Sequence, residues 1–295
     1  MNHSETPAGL DPLRGAPLDL RRGVRLQVSH WHGRTPAMVF LHGALGNRFN
    51  WRPQIEYGLA RGRECLTYDL AGHGQSSAYP RYSIGRHCRD LGRLLERCGI
   101  SAPLLIAHSY GVPIALEWAR RQPVGGLVLA AGGTHELQPW WEQPLMRWMR
   151  YGGRQLFRSP WMQVLNRSWM SDSSEPSVDR FWRESPIPTD EEPYRSIEAF
   201  WGYNFHRRSA PVHWSNNSAL ILSGGRDPMF TRAMGETLAD RFDQGQHLHL
   251  PDCGHLLMVE AAETVNQAID EWMAESGLDG AGRDNPAGDH PNPTA

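Results

Sequence analysis

Residues 103–111 read Pro103-Leu104-Leu105-Ile106-Ala107-His108-Ser109-Tyr110-Gly111. The run from Pro103 to Ala107 is short and continuously apolar, which suits a strand buried on both faces. Beyond Gly111, Ala115, Leu116 and Ala119 continue an amphipathic helix, and Pro113 lies in its first turn, where a missing N–H costs little. A serine therefore stands at the corner between a strand and a helix. A sharp corner of this kind needs small residues two places before and two places after the serine, and Ala107 and Gly111 meet that need. A serine that only caps a helix is the plainer explanation, and the pentapeptide alone does not separate the two.

Outward from this corner the same rhythm repeats. Apolar runs at Ala37 to Leu41, Cys65 to Asp69, Gly126 to Ala131, Ala219 to Ser223 and Gln246 to Leu250 read as strands. Helical patterns fall at Ile84 to Cys98, Tyr110 to Arg121, Thr231 to Phe242 and Leu256 to Met273, the last with Leu257, Ala261, Val265 and Ile269 four residues apart. The alternation predicts an α/β fold with a mostly parallel sheet and helices on both faces. Residues 1–20 and 277–295 are rich in Pro, Gly, Asp and Asn and are expected to be flexible tails. One stretch breaks the rhythm: Trp140 to Trp214 holds eight of the twelve tryptophans and four of the ten methionines. It is expected to be a helical insertion over the carboxyl edge of the sheet, spanning 139–214, with the core formed by 21–138 and 215–276. Core packing of a small subdomain accounts equally well for each tryptophan taken singly.

Composition removes several chemistries. The 30 basic residues among 295 are all arginine. Without a lysine there is no pyridoxal Schiff base, P-loop, kinase site or lysine nucleophile. The net charge of -2 gives no basic field for nucleic acid. Cys65, Cys88, Cys98 and Cys253 form no C-x-x-C pair, which fits a reducing compartment. No apolar run approaches the ~20 residues of a membrane span, and the opening residues lack a signal-like apolar region, so a cytoplasmic location is expected.

Other loops follow the predicted strands. His42-Gly43-Ala44 follows the run ending at Leu41 and can aim a backbone N–H toward the serine corner, where the Tyr110 N–H would join it as an oxyanion hole. Asp69-Leu70-Ala71-Gly72-His73-Gly74-Gln75-Ser76 is a glycine-rich turn whose expected role is structural, with no chemistry for His73. Gly224-Gly225-Arg226-Asp227 and Gly254-His255 come late in the chain. As a set, these motifs make the chain resemble the α/β-hydrolase superfamily from about residue 20 to 275. That resemblance implies the α/β-hydrolase fold with an inserted helical cap, Ser109 as nucleophile, Asp227 as acid and His255 as base. The family's first elbow residue is usually glycine and is Ala107 here. Elbows of the dehalogenase and epoxide hydrolase branches carry aspartate, and hydroxynitrile lyases need a lysine; this chain has neither at the required place.

Glu136 and Asp252 are rival acids, the latter too close in sequence to reach the far imidazole nitrogen. His30 with His32, and His247 with His249, share strand faces, but two ligands are too few for a metal and no cofactor is expected. His108 is expected to pack against the sheet. The resulting expectation is a serine hydrolase acting on an ester or thioester with a hydrophobic acyl group, bound in part by Trp140, Trp141 and Trp201. Carbon–carbon hydrolases, perhydrolases and acyltransferases share the residues, and a non-catalytic ligand-binding protein is the alternative of another class. Arg147, Arg150, Arg154 and Arg158 recur at helical spacing as a stripe for a lipid surface or, more plainly, a solvated face.

Overall fold

The computed structural model describes residues 12–21, 23–134, 137, 139–157, 159–171, 175–201 and 213–278. All six apolar runs become strands of one sheet: β3 (Arg34–Leu41), β4 (Arg63–Tyr68), β5 (Leu104–His108), β6 (Gly126–Ala130), β7 (Trp214–Gly224) and β8 (Phe242–Leu250), preceded by β1 (Ala16–Arg21) and β2 (Val24–Trp31). The order is β1-β2-β4-β3-β5-β6-β7-β8. From β4 to β8 neighbours run parallel, whereas β1 and β2 form an antiparallel edge.

Alternation within the apolar runs fills two cores. Val39, Leu41, Leu105, Ala107, Leu127 and Leu129 face one layer, while Met38, Phe40, Leu104, Ile106, Val128 and Ala130 face the other. Burial of each leucine or valine contributes about 1.5–3 kcal/mol, which is why these strands are apolar throughout. The helices are α1 (Arg52–Ala60), α2 (Ile84–Cys98), α3 (Gly111–Ala119), α4 (Glu142–Trp148), α5 (Arg154–Phe157), α6 (Pro160–Met170), α7 (Pro176–Glu184), α8 (Glu192–Trp201), α9 (Arg232–Ala239), α10 (Leu257–Glu260) and α11 (Ala262–Glu275). The first bounds show local control: the Ser83 hydroxyl accepts from the Arg86 amide at the start of α2, and Gly99 closes it at φ +70°.

Two expectations need correction. The expected tail over 1–20 is ordered from residue 12: Leu13 is fully buried, and its carbonyl accepts from the Ser29 hydroxyl and from Arg48 Nε. Residues 1–11 and 279–295 lie outside the described residues. The single helix expected from Leu256 to Met273 is interrupted at Ala261, where φ is -126° and ψ is 48°. The carbonyls of Met258 and Val259, which would bond amides four residues on, accept instead from Gln54 Nε2 and the Ser177 hydroxyl. Helices α4 to α8 all fall between β6 and β7, in the stretch of the predicted insertion.

Candidate active site

The corner after β5 is strained where the sequence places its serine. Ser109 has φ +47°, a conformation costly for a residue with a side chain, and its amide donates to the Ala130 carbonyl at 2.9 Å. Neighbouring glycines make room for it. A Cβ at Gly111 would stand 2.8 Å from the Leu41 carbonyl oxygen, and one at Gly132 would stand 2.7 Å from the Ser109 carbonyl oxygen. Ala107, on the other side of the corner, is fully buried in β5 and its methyl group is accommodated.

Two later loops meet beside this corner because they carry glycine at their contact. A Cβ at Gly224 would lie 2.3 Å from the Gly254 carbonyl oxygen, and one at Gly225 would lie 2.3 Å from that of Pro251. Backbone bonds from Gly225 to Leu250 and from Arg226 to Cys253 seal the contact. Asp227 and His255 are thereby brought together: His255 Nδ1 lies 2.9 Å from Asp227 Oδ2, with side-chain exposures of 4% and 0%. The other carboxylate oxygen, Oδ1, accepts from the amides of Met229 and Phe230. An ionised carboxylate can only accept, so the imidazole proton resides on Nδ1 and the Nε2 lone pair is left over.

The backbone of His255 is held as firmly as its ring. Its carbonyl accepts from His108 Nε2 at 3.0 Å, and its amide donates to the Met170 carbonyl at the end of α6 at 2.8 Å. The proton of His108 is thus on Nε2, and burial keeps that ring neutral by lowering its pKa well below the usual histidine value. His108 therefore packs as expected and also supports the imidazole's loop. His42 fixes the preceding glycine loop, accepting from the Leu70 amide through Nε2 and donating through Nδ1 to the Gly43 carbonyl. Among the described residues, the amides of Ala44 and Tyr110 bond no protein acceptor.

Ala44, Ser109, Tyr110 and His255 line one cavity of ≈ 140 Å³. Its remaining wall is largely apolar and comes mostly from the insertion, with Trp141, Trp169, Trp182 and Phe200 among its residues. Trp141, named from the sequence as a substrate contact, is one of these lining residues. Trp140, also named there, is 86% exposed and is not among the residues that line the cavity. The Trp201 side chain lies outside the described residues. Asn50, Asn166, Ser185 and Glu142 add polar groups that sequence reasoning missed; for Glu142, a carboxylate next to two tryptophans was the available signal.

Other candidates fall outside this cluster. Asp252 is exposed and pairs with Arg226, while Glu136 lies outside the described residues. Asp69 is fully buried and bonds Arg48 and the Gln75 amide, so the 69–76 turn is structural, and His73 is buried beside it. His30 bonds Glu64 at 2.8 Å, with His32 3.8 Å from the same oxygen; the pair is tied to a carboxylate remote from the cavity. His247 and His249 both contact the Ser223 hydroxyl. Of the four arginines in the expected stripe, two have described side chains. Arg150 is half-buried and bonds Glu191 and Glu198 of the α8 region, Arg147 is exposed, and Arg158 with the Arg154 side chain lies outside the described residues.

Residues 36–262 match the family described as the alpha/beta hydrolase fold. The chain belongs to this family. Among curated proteins this α/β-hydrolase is 21% identical over 324 residues to the bifunctional epoxide hydrolase 2 of Sus scrofa, covering 90% of the chain and 57% of that protein. It spans little more than half the length of the first such relatives, 54% in the Rattus norvegicus protein. Among solved structures it resembles an esterase from Exiguobacterium antarcticum (TM-score 0.76, 17% identity, 88% of this chain and 99% of that one). It also resembles the enol-lactonase of Burkholderia xenovorans LB400 (TM-score 0.71, 24% identity, 85% and 97%). At these identities the likeness establishes the fold. No helix among the described residues is long and apolar enough to cross a membrane.

Proposed function

We propose that this chain is a serine hydrolase that cleaves an ester or thioester with a hydrophobic acyl group through a Ser109–His255–Asp227 triad. The observation that carries the reading is the buried Asp227–His255 bond, whose free imidazole nitrogen belongs to a residue sharing one cavity wall with Ser109. Epoxide hydrolases are among the relatives, but their branch requires an aspartate where this chain has Ser109, which favours acyl transfer.

In this mechanism Nε2 of His255 takes the hydroxyl proton as Ser109 Oγ bonds the substrate carbonyl carbon. The resulting oxyanion receives the unpaired amides of Ala44 and Tyr110, each contributing about 3 kcal/mol where such donors have been tested. Collapse expels the alcohol or thiol, which takes the proton from Nε2. Water then attacks the acyl-enzyme by the reverse sequence and releases the acid. Asp227 holds the tautomer and stabilises the cation formed in each step. The helices between β6 and β7 act as a cap whose apolar wall binds the acyl chain by area. No step requires a metal or an organic cofactor. The four free cysteines support a reducing, cytoplasmic setting.

The test is labelling by a fluorophosphonate, followed by turnover of p-nitrophenyl esters and acyl-CoA thioesters of graded length. Label that vanishes in Ser109→Ala and better turnover of medium chains than of acetate are expected. Wild-type protein that takes no label at any pH would leave a ligand-binding protein as the better reading.

A further inference from the structure

Glu142 is the only carboxyl group among the described residues that line the cavity, and no arginine lines it. Its Oε2 is buried without a hydrogen-bond partner. A buried polar atom with no protein partner depends on what occupies the cavity for its hydrogen bond, a dependence that an apolar residue at the same place would not carry. The missing partner is supplied only when something enters the cavity.

We propose that Glu142 is a substrate-recognition residue: its carboxylic acid donates a hydrogen bond to a neutral keto, ether or hydroxyl oxygen that the substrate carries along its apolar chain. This deepens the serine-hydrolase reading and rests on it. The enclosed position lets the acid keep its proton. Burial raises the carboxyl from its ordinary value to about 7, with His255 opposing and Asp227 reinforcing the rise. The other charged groups on adjoining elements are committed elsewhere: on α8, Arg195 bonds Glu192, and Glu198 bonds Arg150 from the turn after α4. His108, on the cavity wall, is held neutral by burial. A substrate carboxylate would find no cation on this wall, and a substrate ammonium would be buried among tryptophans against an acid that is mostly uncharged below neutrality. A neutral oxygen acceptor fits both the donor and the apolar surroundings.

The experiment compares the rates at which a hexyl and a matched 5-oxohexyl fluorophosphonate label Ser109 between pH 5.5 and 9. In wild type the oxo probe is expected to react about fivefold faster at low pH, the value of one neutral hydrogen bond. That advantage falls toward unity as pH rises through about 7 and the acid loses the proton it donates. Glu142→Gln, whose amide still donates, keeps the advantage and removes its pH dependence. Glu142→Leu brings the ratio to one throughout, with near-ultraviolet circular dichroism checking that both variants fold. A ratio unchanged in Glu142→Leu, or one that grows with pH in wild type, overturns the proposal. Absence of label from both probes instead fells the serine-nucleophile reading and this inference with it.

Discussion

His255 Nδ1 and Asp227 Oδ2 are 2.9 Å apart, in a bond closed to solvent and held from behind by two amides on the other carboxylate oxygen. Asp227→Asn retains an oxygen for those amides but presents an N–H to the imidazole. The ring must then carry its proton on Nε2, the nitrogen required as base. We expect kcat to fall about 10⁴-fold with the melting temperature nearly unchanged. Steady-state turnover and calorimetry check the two halves, and a variant within tenfold of wild type would remove Asp227 from the acid position.

His108 reaches the same imidazole through the backbone. His108→Leu removes the donor to the His255 carbonyl and leaves that oxygen unpartnered in a buried place. The expected cost is about 1–3 kcal/mol of stability, with kcat reduced more than KM is raised because the ring is misplaced. Equal change in both constants would argue that His108 only packs.

Gly224→Ala tests the contact that unites the two late loops. The added methyl would overlap the Gly254 carbonyl oxygen, which lies 2.3 Å from the Cβ position. We expect destabilisation of about 2–4 kcal/mol in urea titration and a loss of turnover persisting in the fraction that remains folded. Full activity in the folded fraction would show that the loops tolerate separation.

Asp90 offers a pH prediction away from the cavity. It is buried in α2 with Oδ2 unpartnered, and burial raises its carboxyl to about 6 despite Arg21 and Arg93. A carboxyl whose folded pKa is raised stabilises the protein below the unfolded value near 4 and loses that contribution as pH rises through about 6. Asp90→Asn should therefore gain about 1–2 kcal/mol at pH 7 and flatten the stability profile between pH 4 and 6. Denaturant midpoints across that range decide it.

Elements with a strong local signal were legible before any coordinates. The runs around Val39, Ile106 and Val128 read as strands because they are apolar on both faces, which are buried, and Ser109, Asp227 and His255 each follow a strand of the same sheet. What remained hidden depends on contacts made at long range. The N-terminal strand looks like a polar tail until β2 pairs with it and Leu13 is covered. The break at Ala261 arises from Gln54 and Ser177 capturing helix carbonyls, a competition no periodicity records. Trp141 lines the cavity while Trp140 is exposed, so adjacent tryptophans read alike in sequence and differ in space.

The grip of the Met170 carbonyl on the amide of His255 ties the roof of the chamber to its working ring. Under the proposed mechanism, lifting the end of α6 to admit a bulky guest would also loosen the proposed base, so entry and reactivity are expected to trade against each other. Slender molecules that thread past the tryptophans leave the machine armed, whereas a guest wide enough to prise it open would meet it disassembled.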